Sequence, residues 1–169
     1  MKRTKLILII TCLIICTMIF MTSCVTEGPG TLDEPEITVE YLKNEYSQQL
    51  LRDGAQILFG AIDLVRVGDD VMITIFEKEI VPDPGYPGGF YIADKNLESE
   101  FILSLGARAT FILRDEGIMK AMEHDEFIDE VWQDFFETMA EEPENQEFRL
   151  YYVYVLDGYV ELLIARELP

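Results

Sequence analysis

Two acidic side chains held a few ångströms apart can hydrolyse a bond without a cofactor, one giving a proton and the other activating water or attacking directly. The chain has 32 Asp and Glu, and the pairs best placed for this are Glu77 and Glu79, which share one strand face, with Asp63 on the neighbouring strand. The same residues also suit a solvated strand end. His124 is the single histidine and lies in Glu123-His124-Asp125-Glu126, so no multi-histidine metal site can form. Asp125 and Glu126 there suit the start of a helix, where a carboxylate caps free N–H groups and complements the positive end of the dipole. Asp69-Asp70 and Asp83-Pro84-Gly85 offer oxygens to Ca²⁺ without the spacing or the terminal Glu of an EF-hand. The chain has no Gly-x-Ser-x-Gly, His-Glu-x-x-His, Walker or Gly-x-Gly-x-x-Gly sequence. The reading asks for no cofactor and no metal, and favours a binding protein over an enzyme.

Charge says more. Thirteen Lys and Arg against the 32 acids leave a net charge of −19, which repels phosphate backbones and argues against nucleic acid as a partner. Ten acids and no Lys or Arg fall between Glu123 and Glu144, and Glu141, Glu142 and Glu144 stand where a helix dipole disfavours them. Glu130, Asp134 and Glu137 are the residues expected to present this charge as a docking surface for a basic envelope protein or for cations. The alternative is a face that only keeps the protein soluble. Tyr151, Tyr152 and Tyr154 lie in one strand, with Tyr152 and Tyr154 on one side and Tyr151 on the other.

The elements that position these residues follow from periodicity. Apolar positions from Thr38 to Arg52 predict a helix stopped by Asp53-Gly54. Gln56 to Val67 and Val71 to Val81 predict a hairpin across Gly68-Asp69-Asp70. Three prolines and three glycines between Val81 and Gly89 predict a loop. Phe90 to Ala93, Phe101 to Leu105 and Ala109 to Leu113 read as short strands, broken by Asp94-Lys95-Asn96 and Gly106. Phe127, Ile128, Val131, Trp132, Phe135, Phe136 and Met139 predict an amphipathic helix with all seven on its core face, ended by Pro143 and Asn145. A last hairpin, Phe148 to Leu156 and Tyr159 to Leu168, turns at Asp157-Gly158. The expected class is α+β: an antiparallel β-sheet, or a small OB-like partly closed barrel, with an N-terminal helix and an amphipathic helix before the last two strands.

The N-terminus gives an address. Lys2, Arg3 and Lys5 precede an apolar run from Leu6 to Met21, which at 1.5 Å per residue falls short of the roughly 30 Å hydrocarbon core. It reads as an export signal. Met21-Thr22-Ser23-Cys24 resembles the lipobox of prokaryotic lipoproteins, with Met in place of the commoner Leu. That resemblance implies cleavage before Cys24 and a diacylglyceryl thioether on its sulfur, anchoring the protein to the membrane from the extracytoplasmic side. Cys12 and Cys16 would leave with the signal, so no internal disulfide is expected. The implied organisation is a signal peptide over 1–23, a tether over 24–36 with Gly28, Pro29, Gly30 and Pro35, and one α+β domain over 37–169. The domain's order of elements also resembles small exported bacterial domains, which implies no activity.

Overall fold

A computed structural model describes residues 37–113, 117–140 and 149–166. The signal, the lipobox-like stretch, the tether, and the end of the acidic run with Pro143 and Asn145 lie outside the described residues. Helix α1 covers 39–52 as three consecutive segments, Val39–Tyr41, a π-helical Leu42–Tyr46 and Ser47–Arg52. Thr38 caps it, its hydroxyl accepting the Tyr41 N–H at 3.1 Å, and Gly54 ends it at φ 100°, a conformation other residues resist. Strands β1 (Gln56–Val67) and β2 (Asp70–Pro82) form the expected hairpin. A short 3-10 turn, Pro87–Gly89, leads to β3 (Phe90–Ile112), then come β4 (Met119–Glu123), helix α2 (His124–Ala140), β5 (Tyr151–Leu156) and β6 (Tyr159–Ala165).

The sheet runs β2-β1-β5-β6-β3-β4, and β2 also pairs with β3. Strands β1, β2, β3, β6 and β5 therefore follow one another around a ring. An odd ring cannot alternate in direction throughout, so one neighbouring pair has to be parallel. That pair is β3 with β6. The sheet is accordingly mixed, which corrects the expectation of a purely antiparallel one, while the alternative of a partly closed barrel describes the molecule. Closure is uneven: on β3 the residues between Leu103 and Arg108 lie opposite the single residue between Val160 and Leu162 on β6.

The three short strands expected between Phe90 and Leu113 are one strand of 23 residues. Asp94-Lys95-Asn96 does not end it. It bulges there, Asn96 taking φ 54°, and pairing with β2 shifts from Lys78↔Asp94 to Phe76↔Glu98. A bulge absorbs surplus residues without ending the ladder, so turn-forming residues mark a bend in this strand. β4, which the sequence pattern did not announce, pairs along the last turns of β3 from Ile112↔Met119 to Arg108↔Glu123.

Two cores result. Alternate residues point into the ring, where Leu64, Ile73, Ile75, Leu103, Phe111, Val153, Val160 and Leu163 pack against Phe127 and Ile128 from α2. Outside the ring α1 lays Leu42 and Leu50 over Tyr154, Leu162 and Ile164. β1 and β2 approach closely at Gly60, where a Cβ would overlap the Phe76 carbonyl oxygen. The last hairpin turns at Asp157 and Gly158, both at positive φ (51° and 87°), as a type I′ turn requires.

Candidate functional site

Helix α2 does not bury the stripe its sequence suggests. Residues spaced by four advance about 400° around a helix of 3.6 residues per turn, so each repeat drifts about 40°. Phe127 and Ile128 are buried and Val131 and Trp132 half-buried, whereas Phe135, Phe136 and Met139 are 45%, 72% and 54% exposed. The face that stays against the barrel runs through Phe127, Val131, Asp134 and Thr138, at spacings of four, three and four. This corrects the placing of all seven apolar residues on the core side.

The divergence opens a groove of about 290 Å³ between the second half of α2, the β1 residues Ile62 to Leu64, and the floor residues Phe111 and Tyr151. Its walls are mostly apolar, with Trp132 on one side and Phe135 and Phe136 at the rim. One end is polar. Arg149 donates through Nη2 to Asp134 Oδ1 at 2.9 Å and through Nη1 to the Ile112 carbonyl. Its guanidinium carbon lies 4.2 Å from the centre of the Phe111 ring. Asp134 and Arg149 side chains are 15% and 16% exposed. Two donors at this end have no hydrogen-bond partner, Arg149 Nε and the Tyr151 hydroxyl. Burial raises the pKa of the Tyr151 phenol, the nearby Arg149 cation opposes this and Asp134 adds to it. The phenol is therefore a neutral donor at any physiological pH.

The three acids expected to share a docking face are separated. Asp134 faces the groove and is tied to Arg149, Glu137 is exposed and accepts from Gln133 Nε2 at 2.9 Å, and Glu130 is half-buried. On the same helix Glu126 pairs with Lys120 of β4. His124 Nδ1 lies 2.7 Å from Asp125 Oδ1, and no group of three metal-ligating side chains occurs among the described residues.

The carboxylates expected to pair also go separate ways. Glu77 is the last inward residue of the β2 face that begins at Val71, and is 9% exposed. Lys95 Nζ donates to its Oε2 at 2.5 Å and Ser99 Oγ to its Oε1 at 2.9 Å. The Lys95 bond holds its pKa below the usual carboxylate value, with burial opposing and Ser99 adding to the effect. Glu79 and Asp63 are exposed and opposite Ala93 and Thr74. A carboxyl kept ionised cannot serve as a general acid near neutral pH, so this cluster fastens the β3 bulge to β2.

A second aromatic cluster lies outside the ring. Phe59 and Tyr152 rings are 5.0 Å apart. Arg166 lies 5.4 Å from the Phe59 ring and 5.0 Å from the Phe90 ring, and donates to the Tyr152 hydroxyl at 3.1 Å. The Tyr86 and Tyr91 rings lie 5.1 Å apart, tilted by 37°, beside the Pro-rich turn. The Arg166 cation is engaged by the Phe59 and Phe90 rings and the Tyr152 hydroxyl.

Sequence reasoning did not single out Arg149, Phe111 or Thr138, and treated Tyr151 only as the odd member of a tyrosine row. One signal was available: Arg149 is the sole Lys or Arg between Lys120 and Arg166, directly after the acidic run. No family model, no curated protein and no solved structure matches this chain.

Proposed function

We propose that this is a lipid-anchored extracytoplasmic binding protein that holds a ligand without transforming it. The groove carries the reading. It combines apolar walls and exposed aromatic rim residues with a small polar end, the make-up of small-molecule sites. Of the two carboxylates in its lining, Asp134 is engaged by Arg149, which leaves it poorly suited to move protons, and Asp63 is exposed. The attachment in this reading is the lipid that the lipobox-like Met21-Thr22-Ser23-Cys24 implies on Cys24.

The address is tested by Cys24→Ala, since only the thiol can receive the lipid. The variant should remain an unprocessed precursor or leave the detergent phase on partitioning, and wild-type migration and fractionation would remove the anchor. A second reading, an acidic inhibitor or assembly partner of a basic envelope protein, draws on exposed Glu137, Glu98 and Glu100. It requires capture of that partner at low salt and its release at high salt. A hydrolase using paired carboxylates ranks last: Glu77, Glu79 and Asp63 are placed separately, and of the two acids that line the groove, Asp63 and Asp134, the second is tied to Arg149.

A further inference from the structure

The groove beside α2 has a chemistry specific enough to name a class of ligand, which deepens the binding-protein reading and rests on it. Its volume of about 290 Å³ is the space that ~10 waters take in the liquid, at the small end for ligand sites. It fits one ring or a short branched chain, and is small for a nucleotide or an oligosaccharide.

The polar end sets the other requirement. A buried hydrogen-bonding group with no partner costs about 1–3 kcal/mol, and here two residues that line the groove each carry one: the Tyr151 hydroxyl, on a residue 1% exposed, and Arg149 Nε. Both atoms are closed to water without a ligand, so a ligand reaches them by displacing the side chains that cover them. Arg149 Nε can only donate, and a phenol that stays protonated donates as well. Both call for an oxygen that accepts. Charge narrows the choice. The Arg149 cation is already matched by Asp134 at 2.9 Å, so a ligand carboxylate would bring a further anion into a groove that Asp63 and Asp134 both line, on a chain of net charge −19. A cationic ligand could meet the exposed Asp63 but would present donors to the donors at the polar end. An uncharged acceptor meets neither objection.

We infer that the groove between α2, β1, Phe111 and Tyr151 binds a small, uncharged, largely apolar molecule carrying one carbonyl or hydroxyl oxygen, which accepts from the Tyr151 hydroxyl and Arg149 Nε. Phe135 and Phe136 close over its apolar body, and Trp132 stands in the wall.

Because Trp132 is the one tryptophan in the chain, its emission reports occupancy directly. The purified full chain is titrated with benzamide, which has an apolar ring and a neutral carbonyl, and with benzene at measured free concentration, which has the ring alone. Tyr151→Phe removes only the hydroxyl. Benzamide should shift Trp132 emission saturably and bind Tyr151→Phe about three- to tenfold more weakly, while benzene binds both proteins alike. Phe136→Ala should weaken both probes together. The proposal is overturned if neither probe saturates, if benzamide binds Tyr151→Phe as tightly as wild type, or if benzoate binds more tightly than benzamide. The titration needs no anchor, so a failed lipidation test leaves it intact, and its own failure leaves the membrane address standing.

Discussion

A single hydroxyl or carboxylate in this molecule matters according to what surrounds it, and three side chains show this. Tyr151 is enclosed with its hydroxyl unpartnered. Tyr151→Phe in the ligand-free protein should leave stability unchanged or raise it by about 1 kcal/mol, because a desolvated donor is removed and the ring packing against Phe127 is kept. A denaturant midpoint that falls would show that the hydroxyl has a partner. Glu77 has its pKa lowered chiefly by the Lys95 hydrogen bond. A depressed carboxyl stabilises the fold fully above its unfolded value of about 4.5, and loses that contribution as pH falls through the native value. Glu77→Gln should therefore cost about 1–2 kcal/mol at pH 7 and unfold with a flatter dependence on pH below about 5 than wild type. Parallel acid-unfolding curves would contradict the assignment. Asp134 and Glu137 were alike as letters in an acidic run, but only Asp134 holds the half-buried Arg149. Asp134→Asn should cost about 2–4 kcal/mol, and Glu137→Gln less than about 0.5, both read from urea denaturation.

Elements were legible where one local rule decided them and obscure where the partner decided. The boundaries of α1, β1, β2 and the last hairpin follow from alternation, a Thr cap and an Asp-Gly turn, all local. β3 did not yield to such reading, because whether Asp94-Lys95-Asn96 ends a strand or bulges it depends on β2 lying alongside, with Lys95 and Ser99 reaching Glu77 across the ladder. β4 carries no strong pattern of its own and exists through pairing to β3. In α2 the apolar residues were correctly seen as helical, yet their spacing of four drifts off the core, and the groove exists because of that drift. Alanine substitution should expose the difference. Phe127→Ala should cost about 3–5 kcal/mol as a buried aromatic, and Phe136→Ala, on the same apparent stripe, less than about 0.5. Equal costs would mean that α2 packs along its whole stripe and that the groove is closed.

At the scale of the molecule the ring explains why the order of elements was informative while the directions of the strands were not. Helix and hairpin order is written along the chain, but the parallel meeting of β3 and β6 follows only once β2 and β3 close the circuit. The groove was hidden for the same reason, since Ile62, Phe111, Asp134 and Tyr151 come from four elements that meet only through closure. Closure also crowds charge. A net −19 drawn onto a compact surface repels itself more strongly than along an unfolded chain, which lowers stability at low ionic strength. Salt acts on this repulsion and on the ion pairs together, and the balance has a definite sign. The pairs Lys78–Asp94, Lys95–Glu77, Lys120–Glu126 and Arg149–Asp134 are short contacts, two of them shielded from solvent on at least one side, so screening weakens them little. The surplus acids are spread over many ångströms and lie within reach of a Debye length of about 10 Å at 0.1 M salt. The thermal midpoint should therefore rise by several degrees between about 0.02 and 0.3 M sodium chloride and then level off as screening saturates. A midpoint that falls over this range would show that ion pairs outweigh the repulsion, and that the acidity of this chain is compensated within the fold instead of being carried on its surface.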